Sequence, residues 1–82
     1  MMNNKYEVSV HRPHPDYGNG LPPGFYKANQ DNVDVMFDAG ATEIGLYVVR
    51  NDNRRFVKYI HEASDFAAAL KKVYASSDRR SY

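Results

Sequence analysis

The amino-acid sequence predicts a small α+β domain, an antiparallel sheet of three to four strands with a C-terminal helix packed on one face. Three observations carry this reading. "KYEVSV" (5–10) and "TEIGLYVVR" (42–50) alternate side chains with the period of a strand. "NDN" (51–53) then makes a turn, because Asn and Asp tolerate left-handed backbone angles, and "RRFVKYIHE" returns as an antiparallel partner. Finally, "DFAAALKKVYAS" (65–76) sets Phe66, Leu70, Val73 and Tyr74 at helical spacing.

In chain order, the first strand turns Tyr6, Val8 and Val10 one way and Lys5, Glu7 and Ser9 the other. It is expected to stop at "RPHP", since proline removes ladder donors. "HRPHPDYGNGLPPG" (11–24) holds all four prolines and three of the five glycines. A loop this long is uncommon in a compact domain unless it acts in function. Proline stiffening lowers the entropy lost when it is ordered on contact, and Tyr17 is its expected contact residue.

"FYKANQDNVDVMFDAG" (25–40) supports two readings. As a strand it turns Val33, Val35 and Phe37 inward. As a helix it forms a stripe of Val33, Met36 and Phe37, with Asp31, Asp34 and Asp38 wet and Gly40 as C-terminal cap. The β-branched valines tip the expectation to a strand over 33–37. Residues 43–49 carry apolar groups on both faces, as a central strand does. Ser64 is the expected N-cap of the last helix, with Asp65 in its first turn and Lys71 and Lys72 near its end. Leu70 lies within that stripe, so Leu70→Ala is expected to cost about 2–5 kcal/mol. The domain is expected to span 1–76, followed by a flexible tail over 77–82.

Eighty-two residues make one domain with a small core, too small for a deep substrate cavity. With no cysteine there is neither disulfide nor thiolate chemistry. "MMNNKYEVSV" has no run apolar enough for a leader or a membrane span, and the expectation is a cytoplasmic protein with no membrane association. Net charge is +1, but residues 1–49 carry three basic and six acidic side chains, and residues 50–82 eight basic and four acidic. Such a split can steer a charged partner.

Candidate chemistry is sparse. His11, His14 and Asp16 have the spacing of a metal clamp, but no second cluster completes four ligands. His61 and Glu62 stand at the joint between the last strand and the helix without a nucleophile. Gly18, Gly20 and Gly24 lack the strand, helix and lysine of a phosphate loop. The reading is therefore a non-enzyme with no catalytic residue, metal or cofactor.

Two features remain. Arg50, Arg54, Arg55 and Lys58 crowd the hairpin beside Tyr47 and Tyr59, which suits phosphate contact and base stacking. Seven tyrosines and four phenylalanines exceed what so small a core can bury, and Tyr and Arg are residues that anchor protein interfaces. In element order alone the hairpin-then-helix half resembles the small three-stranded DNA-binding folds of integrase arms. The layout is also similar to that of short phage and plasmid proteins.

The expected function is docking onto a macromolecular partner, as an inhibitor or regulator of a host factor. The expected contact set is Tyr17, Arg50, Arg54, Arg55, Lys58 and Tyr59. The aromatic surplus favours a protein partner. The alternative is a nucleic-acid-binding domain using the basic hairpin 50–58. An edge strand in so small a sheet also offers pairing with a second copy, giving a homodimer.

Overall fold

A computed structural model describes the backbone of residues 5–18 and 20–80, and their side chains as far as residue 73. The elements run β1 (Lys5–Pro13), β2 (Tyr26–Lys27), α1 (Gln30–Asp38), β3 (Ala41–Arg50), β4 (Asn53–Ile60), a 3₁₀ turn (Ala63–Asp65) and α2 (Phe66–Arg80). The strands form one antiparallel sheet in the order β2-β1-β3-β4. The expected α+β architecture with its C-terminal helix is present, together with a second helix. No described helix is long and apolar enough to cross a membrane.

One face of the sheet carries the core. Tyr6 and Val8 of β1, Ile44 and Leu46 of β3 and Ile60 of β4 are buried against Val33 and Met36 of α1 and Phe66 and Ala69 of α2. Both helices thus cover the same face, and burial of their apolar stripes is what holds them there.

The expected strand over 33–37 is instead the helix α1. Asn29 caps it, its side-chain oxygen accepting from the Asn32 backbone N–H at 2.7 Å. Gly40, at φ +115°, stops it, its N–H donating to the Phe37 carbonyl at 3.0 Å. Val33 and Met36, three apart, are both fully buried, which helical spacing permits and strand alternation does not. The end signals and the stripe outweigh the weak β preference of two valines.

β1 ends at Pro13, within the "RPHP" stretch where it is expected to stop, beyond an irregularity where a missing donor costs least. One further boundary differs. Ser64 does not cap α2; it lies within the 3₁₀ turn, which begins after Glu62 and leads into Phe66. The tail expected over 77–82 falls among residues whose side chains lie outside the described set, while α2 itself runs to Arg80.

The proline segment is folded back on the domain by two phenols. Tyr17 donates to the Leu21 carbonyl at 2.9 Å and Tyr26 to the Pro22 carbonyl at 2.6 Å. The His14 N–H donates to the Gly40 carbonyl at 2.9 Å, tying the segment to the end of α1. Gly20 has no room for a side chain, since a Cβ there would overlap the Tyr17 ring and lie 2.7 Å from Ala39 Cβ.

Candidate functional site: the uncovered sheet face

The second face of the sheet has no helix over it. Register places Glu7, Tyr47 and Phe56 side by side across β1, β3 and β4, and Ser9, Gly45 and Tyr59 in the next rank. Rings bracket the two small residues Ser9 and Gly45. Phe25 meets Tyr47 edge-on with centroids 5.0 Å apart, Tyr47 meets Phe56 at 5.6 Å, and Phe56 meets Tyr59 at 4.6 Å. Phe25, Phe56 and Tyr59 are 43%, 45% and 39% exposed, which is unusual for side chains this large. Edge-on and tilted contacts suit ring quadrupoles and hold the row together without burial.

Two irregularities build this row. Between Leu46 and Tyr47 the register of β4 slips by one residue, so Lys58 opposes Leu46 and Phe56 opposes Tyr47, with Val57 extra. In a regular strand residues three apart lie on opposite faces. The bulge brings Phe56 and Tyr59 onto the same one. A second slip, between Val10 and Arg12, makes His11 the extra residue of β1, and both His11 and Arg12 reach Glu43.

Both carboxylates flanking the ring row, Glu7 and Glu43, are paired, while Lys5 and Lys27, which register turns to the same face, form no ion pair among the described residues. Arg54 lies over the Phe25 ring, 3.7 Å from its centroid, and donates to Glu7 from Nε and Nη2 at 2.8 Å each. At the other end of the row, the Glu43 side chain is only 11% exposed. Its Oε1 is held by His11 Nδ1 and Arg12 Nε, each at 3.1 Å, and its Oε2 faces His61 Nε2 at 3.4 Å. Tyr59 links the row to this cluster through the rings of His11, at 4.8 Å, and His61, at 6.5 Å. The ring nitrogens address separate carboxylate oxygens, and Arg12 shares one of them. This is an arrangement of hydrogen bonds, and the described residues include no metal-binding group.

Burial pushes the Glu43 carboxyl up, but hydrogen bonds from His11 and His61 and the charges of His11 and Arg12 outweigh it, leaving the pKa below the ordinary value. A depressed carboxyl pKa contributes stability above the unfolded value of about 4.3, which is lost as pH falls through the folded value. Acidification below about pH 4.3 should therefore destabilise the protein more than it does Glu43→Gln. Urea unfolding at stepped pH, followed by circular dichroism, measures this; parallel pH profiles would reject the assignment.

The residues singled out from sequence are dispersed. Arg54 and Tyr59 share the open face. Arg55 opposes Val48 and Lys58 opposes Leu46, which puts both on the helix side of β4. Arg50 is exposed where the hairpin turns, next to Asn51 and Asp52 with φ of 51° and 67°. Tyr17 packs against the core, where burial and, less strongly, Tyr26 hold its phenol pKa above the ordinary value. Of the metal-like trio, His11 turns to Glu43, and the Nδ1 of His14 accepts from the Asp16 N–H at 3.1 Å.

No family model matches this chain, and no curated protein or solved structure compared with it is significantly similar.

The sequence reading passed over Phe25, Phe56 and the pairing of His11, Arg12 and His61 with Glu43. A signal for Phe56 was present: with Arg50 and Asn53 closing the turn, counting outward sets Phe56 opposite Tyr47. Nothing local signals Phe25, which enters the row only because β2 pairs with β1.

Proposed function

We propose that the chain is a non-enzymatic docking domain whose uncovered sheet face receives a protein partner, in the manner of a small regulator or inhibitor. The observation that carries this is the row Phe25, Tyr47, Phe56 and Tyr59, in which Tyr47 is half-buried and the other three rings are exposed, bounded by the Arg54–Glu7 pair and the Glu43 cluster. Rings of this kind, preorganised on a rigid sheet, are what a protein interface uses as anchors, because little side-chain entropy is lost on contact. A phosphate backbone asks instead for unpaired cations beside flat rings. Of the hairpin cations, Arg54 is held by Glu7 and Phe25, and Arg55 and Lys58 lie on the far side of the strand, which leaves Lys5 and Lys27 on β1 and β2 as the unpaired cations of this face among the described residues.

The test is photo-crosslinking from a benzophenone amino acid at position 56, with position 71 on α2 as control. A partner captured from 56 alone is then purified. Phe56→Ser with Tyr59→Ser should weaken its binding by about 2 kcal/mol or more, as loss of central anchors does. Both residues are exposed, so the fold should persist. Equal capture from both positions, an unchanged affinity, or capture of nucleic acid with steep salt dependence would each reject the proposal.

A further inference from the structure

Strand β4 is the edge of the sheet beyond β3, so alternate residues along it turn backbone N–H and C=O groups away from any neighbour. It is eight residues long, and only Val57 and Ile60 are not exposed. It carries Arg54, Arg55 and Lys58 and no acidic residue. Alongside it runs a groove of about 250 Å³, floored by Ile60, Ala68 and Ala69 and rimmed by Lys58 and Lys72, with Asp65 its one carboxylate. No described carboxylate forms an ion pair with Arg55, Lys58 or Lys72.

We propose that β4 takes up a short, extended, acidic segment of a partner protein by strand addition, a proposal that rests on the docking reading above and names the chemistry of the partner. Backbone groups of the edge supply affinity and its cations select the sign of the partner's charge. On the helix side, carboxylates of the added strand meet Arg55, Lys58 and Lys72. On the other side, its apolar side chains extend the ring row beyond Phe56 and Tyr59. A second copy of β4 is disfavoured as the occupant, because pairing would bring arginine and lysine of one strand beside those of the other.

The probe is a short acetylated and amidated peptide of alternating glutamate and valine, titrated at millimolar concentration into the isotope-labelled full chain. Shifts and slowed amide exchange confined to β4 and the rim of its groove are expected. Arg55→Glu with Lys58→Glu should weaken the interaction about tenfold or more, since like charges then face each other. The same peptide N-methylated at alternate residues should not bind, which separates strand addition from charge attraction alone. Equal effects from the N-methylated peptide or from a lysine–valine peptide, no perturbation of β4, or sedimentation as a dimer through this edge would overturn the proposal. Capture at position 56 with β4 unprotected would sink strand addition and leave the docking face standing.

Discussion

Phe66→Ala is expected to cost about 3–5 kcal/mol of folding stability, the usual range for removing a buried aromatic side chain. Phe66 opens α2, is 2% exposed, and belongs to the buried cluster formed by both helices and the sheet. Small domains have little stability in reserve, with ΔG of unfolding near the low end of about 5–15 kcal/mol. The variant should therefore be largely unfolded or denature at markedly lower urea, as followed by far-UV circular dichroism. Leu70→Ala should cost less, because Leu70 is only partly buried. The anchor of the helix is thus its first residue rather than the middle of its stripe. Equal stability of Phe66→Ala and the parent chain would refute that docking.

The second large effect concerns the open face. Gly45 is buried beneath the Tyr47 ring, and a Cβ at that position would lie 2.9 Å from Cε1 and 3.2 Å from Cζ. Gly45→Val should therefore swing Tyr47 away and part it from both Phe25 and Phe56. The strain of overpacking is about 1–3 kcal/mol, small enough to leave the sheet formed. Ring-current shifts of Phe25, Tyr47 and Phe56 in proton NMR should collapse. Binding of the crosslinked partner should fall as far as in Phe56→Ser with Tyr59→Ser. Gly45→Ala should produce the same change in milder form. Unaltered aromatic shifts in Gly45→Val would mean that the glycine does not hold the row in place.

Much of the fold was legible because its signals are local. The alternation of Tyr6, Val8 and Val10 matches the face they present, and Asn51 and Asp52 adopt the left-handed angles the hairpin needed. Residues 33–37 were misread where two local signals conflicted: valine preference is weak and depends on context, whereas Asn29 and Gly40 satisfy particular backbone groups at the two ends of α1. The site was far less legible. Its composition depends on which strand lies beside which, and on two extra residues, Val57 and His11, that interrupt alternation. Neither neighbour choice nor bulge position is written in any window of a few residues. A tyrosine among prolines looks available from sequence, and only the folded chain shows that the Tyr17 hydroxyl donates to the Leu21 carbonyl and that its ring packs partly against the core.

The extra residue Val57 also has a colloidal consequence. A straight ribbon border with adjacent benzene and phenol rings would be a seed on which further chains could stack without limit, as in amyloid. The bulge at Val57 bends and twists that border, so a flat, repeating stack of chains loses its match there, whereas one short segment can follow the bend. The molecule can thus keep a sticky flank in concentrated solution and still resist growing into fibres.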